Sequence, residues 1–177
     1  MKSISLLLIS FGFVVSTSAQ SINYAWNTKK VQIRQQEEQL VSQKPQQLVF
    51  RDKWQEHTVI KKYGFFNNKL KRAAIILKQS YHDQNQYIFD YKQISRNLSR
   101  KYGDPHKSNA RIPINKKLAS DPNLSEGEKL ATGAIGFENK WKSSGMRVRH
   151  TLRGNGYEII HVIVFTAPDY KQFADGF

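Results

Sequence analysis

Two periods of apolar and polar positions run along this chain, and the places where one gives way to the other mark its elements. The helical period is clearest in YHDQNQYIFDYKQISRNLSRKYGDP. There Tyr87, Ile88, Tyr91, Ile94, Leu98 and Tyr102 recur every three or four residues as one apolar stripe. Asp83 is placed to cap the start of this helix, with Gln86 three residues on to complete a capping box. Arg96, Arg100 and Lys101 gather near its end, where the helix dipole favours cations. Gly103 suits a left-handed C-terminal cap, and Pro105 prevents continuation.

A shorter helix is expected within NYAWNTKKVQIRQQEEQLVSQ, capped by Asn27 or Thr28, with Trp26 pinning it to the body. Its apolar face is thin, so docking rather than propensity must hold it. KPQQ at 44–47 is a break, and residues 47–54 read as a strand.

Period two takes over around Asn67-Asn68, a pair that tolerates positive φ in a two-residue turn. Residues whose numbers sum to 135 then face each other. This register places Val59, Tyr63 and Phe65 beside Leu70, Ala74 and Ile76 on a core face, with Lys62, Lys69 and Lys71 around Phe66 on the other. Residues 106–133 carry two prolines and no sustained period, which predicts a long loop. Strand character returns in AIGFENKWKSSG, where Trp141 is the anchor.

The last hairpin runs through RVRHTLRGNGYEIIHVIVF. A turn centred on Asn155-Gly156 pairs residues summing to 311. One face then holds Met146, Val148, His150, Leu152, Tyr157, Ile159, His161, Ile163 and Phe165. The other holds Arg147, Arg149, Thr151, Arg153, Glu158, Ile160, Val162 and Val164. Arg153 is expected opposite Glu158, and His150 opposite His161. APDYKQFADGF follows as a tail.

These elements predict one α+β domain over 20–177, in the order α-β-β-β-α-β-β-β. Its antiparallel sheet has five or six strands, with one long helix packed on one face and a short N-terminal helix.

The opening MKSISLLLISFGFVVSTSAQS changes the picture of where the domain works. A lysine, the apolar run from Leu6 to Val15 and small residues up to Ala19 make the pattern of a cleavable signal peptide, residues 1–19. The run is shorter than the roughly 20 residues of a membrane span, so no transmembrane helix is expected in the mature chain. Cleavage after Ala19 leaves 158 of the 177 residues and a periplasmic or secreted protein. There is no cysteine, which excludes disulfides, thiol nucleophiles and cysteine metal sites. Without Lys2 the mature chain carries 27 Lys and Arg against 14 Asp and Glu, a net charge of +13. Such a field attracts anions, and export argues for an anionic envelope polymer or an acidic protein over intracellular nucleic acid.

The candidate anion-binding residues are Arg147, Arg149 and Arg153, whose guanidiniums suit phosphate and carboxylate groups, with Lys62, Lys69 and Lys71 as a second patch. The other reading of the arginines is a solvated or helix-covered sheet face. His150 and His161 form the one candidate metal or proton-exchange pair. Zinc would require a third ligand, and His57, His82 and His106 fall at no ligand spacing. The plainer reading makes both histidines tucked core aromatics with their nitrogens satisfied locally. No cofactor and no catalytic residue are indicated.

YGFFNNKLKRAAIIL, the helix ending YKQISRNLSRKYGDP, and the closing strand VIVFTAP together resemble a group of uncharacterised exported bacterial proteins. In that group WxxSxxxV often precedes the sheet, and WNTKKV at 26–31 is similar. The opening helix also resembles those of small two-layer envelope domains, the outer-membrane assembly lipoproteins and β-lactamase-inhibitor proteins. MRVRHTL and the missing lipidation cysteine depart from that pattern. The resemblance covers most of the mature chain through structural motifs, and it implies a fold but no site residue. The expected function is non-enzymatic binding of an anionic envelope component or acidic protein. The alternatives are a protein inhibitor or assembly factor that recognises one protein through a loop or sheet face, with the 106–133 loop carrying specificity, and a hydrolase using His150 or His161.

Overall fold

The computed structural model describes residues 24–54 and 57–170. The expected signal peptide and residues 171–177 of the expected tail lie outside the described residues. Eight strands make up a single antiparallel sheet: β1 (Leu40–Lys44), β2 (Gln47–Trp54), β3 (His57–Phe66), β4 (Lys69–Leu77), β5 (Lys107–Pro113), β6 (Ile135–Ser143), β7 (Met146–Gly154) and β8 (Ile159–Thr166). Their spatial order is β1-β2-β3-β4-β8-β7-β6-β5, two four-stranded meanders joined along β4 and β8. Four helices accompany them: α1 (Lys30–Gln36), α2 (Asn85–Tyr102), α3 (Lys116–Ala119) and α4 (Glu126–Ala131).

This corrects the expected architecture. Strand makes up 45% of the described residues and helix 24%, so the fold is built on an eight-stranded sheet rather than on one long helix over five or six strands. The 106–133 segment accounts for much of the difference. It holds edge strand β5 and helices α3 and α4, and no long loop. Strand β5 reads KSNARIP and pairs with β6 through an irregular register between Asn109 and Ile112, so it carries no clean alternation. Chain 23–43 also divides: α1 stops at Gln36 and Leu40–Lys44 becomes β1.

All four helices lie on one face of the sheet. Ile33 of α1 and Ile94 and Leu98 of α2 join Leu48, Phe50, Tyr63 and Trp141 in the larger apolar cluster. Tyr87, Ile88 and Tyr91 of α2, with Ala119 of α3 and Leu130 of α4, close a second cluster over Ile135, Phe137 and Leu152. An 18-residue helix is about 27 Å long. Strands are about 4.8 Å apart, so α2 can carry the chain from the end of β4 to the far edge at β5. Its start differs from expectation: Gln84 is the N-cap, and the Asp83 carboxylate accepts the Asn85 amide at 2.9 Å. Gly103 ends it at φ 78° and donates its amide to the Ser99 carbonyl.

Asn67 and Asn68 do form the tight turn, at φ 48° and 59°. Phe66 pairs with Lys69 and Phe65 with Leu70, as the 135 sum requires, but Gly64 then faces Arg72. Lys71 is the extra residue of a bulge. Beyond it the face is inverted: Ala73, Ile75 and Leu77 join Val59 and Tyr63 in the core, while Ala74 and Ile76 turn to the opposite face.

Candidate functional site

The closing hairpin brings the two candidate histidines together by a register different from the expected one. Paired residues sum to 313, because residues 155–158 form a four-residue connection. The Asn155 side chain holds it, its Oδ1 accepting the Tyr157 and Glu158 amides at 2.9 Å each. A slip of two residues leaves the side chains within β7 and β8 on their expected faces but changes their partners, while Tyr157 and Glu158, expected on the strands, lie in the connection. His150 therefore faces Ile163, His161 faces Leu152, and Arg153 faces Ile160 instead of Glu158.

His150 and His161 still meet diagonally, Nε2 to Nε2 at 2.8 Å, and both are sealed beneath α2. They sit inside a hydrogen-bonded chain of side chains. Ser108 Oγ donates to Asn139 Oδ1 (2.9 Å), and Asn139 Nδ2 donates to Ser95 Oγ (3.1 Å). Ser95 Oγ lies 2.9 Å from His150 Nδ1. On the other side His161 Nδ1 lies 3.2 Å from Gln79 Oε1, and Gln79 Nε2 donates to Asp90 Oδ2 at 2.6 Å. The Tyr81 hydroxyl donates to the same carboxylate oxygen.

The direction of this chain follows from its end. The Gln79 amide nitrogen donates to the Asp90 carboxylate, so Gln79 Oε1 faces His161. His161 must then carry its proton on Nδ1 and accept at Nε2. His150 donates from Nε2, and its Nδ1 accepts the Ser95 hydroxyl. Every donor finds an acceptor with both imidazoles neutral. Burial favours the same state: it pushes His161 down to about 3 from an ordinary 6.5, with His57 adding to the shift. Burial, and secondarily His161, hold His150 well below 6.5. Tyr91 of α2 stacks on His150 with ring centroids 4.2 Å apart.

Chemically, this is an enclosed polar chain in which each imidazole nitrogen has a partner. Among the described residues no group of three His, Asp or Glu side chains converges to hold a metal. His82 and His106 are exposed, away from the buried pair. Neither imidazole reaches a surface from which a substrate could approach.

The arginine face lies on the other side of the sheet, which no helix covers among the described residues. Register arranges its residues in rows across the strands. One row runs Lys62, Ala74, Val164, Arg149, Lys140, and the next runs Gly64, Arg72, Thr166, Arg147, Lys142. Arg153 faces Gly136 and Ile160 two rows from Arg149, on the side away from Arg147. Glu138 is the one acidic strand residue of this face, and Lys140 Nζ takes it at 2.9 Å.

The six candidate cations divide by what they touch. Arg147 and Lys71 are committed internally: Arg147 Nη2 donates to the Ala167 and Tyr170 carbonyls, and Lys71 Nζ pairs with Asp169 at 2.5 Å. These contacts lay residues 167–170 beside Phe66, whose ring is 6.3 Å from that of Tyr170. Among the described residues, no acidic side chain pairs with Arg149, Arg153, Lys62 or Lys69.

At the far end of β4 a cleft of about 540 Å³ opens between the two faces. Lys62, Ile76 and Ile160 line it from the helix-free face, Gln79, Tyr81 and Tyr87 from the helix side, and Tyr157 at its lip. The buried chain thus reaches this cleft through Gln79 and Tyr81.

The 106–133 segment is ordered by its own contacts. Arg111 Nε donates to Glu126 Oε2 at 2.7 Å, and its Nη2 donates to Glu126 Oε1 and the Ala119 carbonyl. Ser125 and Glu128 cap α4 reciprocally. Gly127 lies so close to the start of α2 that a Cβ there would stand 2.6 Å from the Asn85 nitrogen.

Sequence reasoning singled out the histidines but missed Gln79, Asp90, Ser95 and Asn139. Ser95 lies on the apolar stripe of α2, and Asn139 alternates with Phe137 and Trp141. Polar residues in buried positions were the available signal. Compared with protein-family models, with curated proteins and with solved structures, the chain matches none.

Proposed function

We propose that this chain is a non-enzymatic exported protein that binds an anionic envelope component through the helix-free face of its sheet. The supporting observation is the one-sided charge of that face. Arg149 and Arg153 of β7 and Lys62 of β3 project together, and the one strand acid among them is already held by Lys140. Guanidinium forks match phosphate, sulfate and carboxylate oxygens in pairs, and lysine adds a movable charge. Lys69 extends the reach of the face at the tip of the first hairpin. Arg147 and Lys71 serve a different purpose, holding residues 167–170 against the sheet.

The expected hydrolase alternative would require a histidine within reach of solvent, and both imidazoles are enclosed. The expected inhibitor alternative named a loop or a sheet face, and the residues 106–133 given for its specificity form β5, α3 and α4 rather than a loop.

Titration against heparin at increasing salt tests the reading. Affinity should fall steeply with salt, and an Arg149→Ser/Arg153→Ser variant should bind about 25-fold more weakly at low salt, taking about 1 kcal/mol per arginine. Salt-independent binding, or a variant with wild-type affinity, would remove the basis for it.

A further inference from the structure

The helix-free face is amphiphilic, and the distribution of its apolar residues narrows what it meets. Ile60 faces Ile76, and Ile76 faces Val162, so three aliphatic side chains lie side by side across β3, β4 and β8. Ile160, one step along β8, is 41% exposed. Beyond it Tyr157, on the β7–β8 connection, is 98% exposed, the most exposed large apolar side chain among the described residues. Cations surround this zone: Arg51 faces Ile60, Arg153 faces Ile160, Lys62 is one step along β3 from Ile60, and Lys78 follows β4. The acids nearby are Glu158 at the same end and Glu138, which continues the aliphatic row through Thr151 and is held by Lys140.

A soluble polyanion has use for the cations and none for the aliphatic row or the tyrosine. A bilayer surface uses both. Tyrosine favours the headgroup level of a membrane interface, where its ring is apolar on one side and its hydroxyl wet. Lysine and arginine lay their methylene stems along apolar surface while their charged heads reach phosphate. Anionic lipid supplies the complementary charge, at about 1 kcal/mol per basic residue near the surface.

From this arrangement we infer that the partner is the surface of an anionic lipid bilayer, met by the end of the sheet that carries Tyr157, Ile160 and Ile76 within their ring of cations. The inference rests on the cationic reading given above and specifies the class of its ligand. No described helix is long and apolar enough to cross a membrane.

Co-sedimentation of the full chain with vesicles tests it, using phosphatidylcholine alone and phosphatidylcholine mixed equally with phosphatidylglycerol, beside the heparin titration. The chain should sediment with the mixed vesicles and stay in solution with the neutral ones. A Tyr157→Ser/Ile160→Ser variant should lose about tenfold in vesicle affinity and keep its heparin affinity. Arg149→Ser/Arg153→Ser should lose both. Both variants should melt within a few degrees of wild type, since the four positions lie outside the apolar core. Binding to heparin without binding to anionic vesicles overturns the inference and leaves the cationic reading standing, as does wild-type vesicle affinity in the Tyr157/Ile160 variant. Failure to bind either ligand overturns both.

Discussion

Acid should unfold this protein through the two enclosed histidines, and the size of the effect can be worked out. In the unfolded chain each imidazole titrates near 6.5. In the fold burial keeps both neutral to much lower pH, His161 to about 3. Below 6.5 the unfolded state therefore binds protons that the native state refuses, and stability falls as pH falls. At pH 5 the unfolded chain gains about 2 kcal/mol per histidine, or about 4 kcal/mol for the pair, approaching about 2.7 kcal/mol per pH unit. Domains of this kind have about 5–15 kcal/mol to lose. Carboxylates held below their ordinary values, Glu126 by Arg111 and Asp169 by Lys71, enter only below about pH 4.5, so the window from 5 to 6.5 isolates the histidines. Urea denaturation at half-unit intervals from pH 7.5 to 5 measures it. A His150→Leu/His161→Leu variant, whatever its stability at pH 7, should lose most of the slope. A wild-type change below about 1 kcal/mol across this window would refute the neutral, enclosed pair.

Three further outcomes are expected. Ser95→Ala leaves His150 Nδ1 without its donor and the Asn139 amide without its acceptor; urea denaturation at pH 7 should show a loss of about 1–3 kcal/mol, largely restored by Ser95→Thr. Gly154→Ala places a Cβ 2.0 Å from the Leu130 carbonyl oxygen and should cost about 3 kcal/mol by forcing α4 away from the hairpin, seen in the same assay. Asn68→Val puts a β-branched side chain at φ 59° and should lower the melting temperature, with a cost of about 1–2 kcal/mol, whereas Asn68→Gly should leave it unchanged or raised.

Much of this fold was legible where a side chain's face depends on parity alone. The closing hairpin slipped by two residues, yet Arg149, Arg153, His150 and His161 kept their expected sides. The first hairpin carried one bulged residue, Lys71, and that single insertion exchanged Ala74 and Ile76 for Ala73, Ile75 and Leu77 in the core. A bulge leaves little trace in apolar patterning when both faces of a strand are apolar, as in KLKRAAIIL. The strand count failed for a related reason. Strands β1 and β5 are edge strands of mixed polarity, LVSQK and KSNARIP, whose alternation is weak. The reciprocal cap of Ser125 and Glu128 that starts α4 went unread, inside a stretch that its prolines made look irregular. The polar core was legible only in part, because a hydrogen-bonded chain joins α2 to strands far apart in sequence and no spacing encodes it.

The account depends most on the claim that Arg149 and Arg153 contact the anionic partner directly. Its sharpest test is the slope of log affinity against log salt, measured for wild type and for Arg149→Ser/Arg153→Ser on phosphatidylglycerol-containing vesicles. Direct contact predicts that the variant's slope is shallower by about 1.5, just under one per arginine removed. Parallel lines for the two proteins would contradict it.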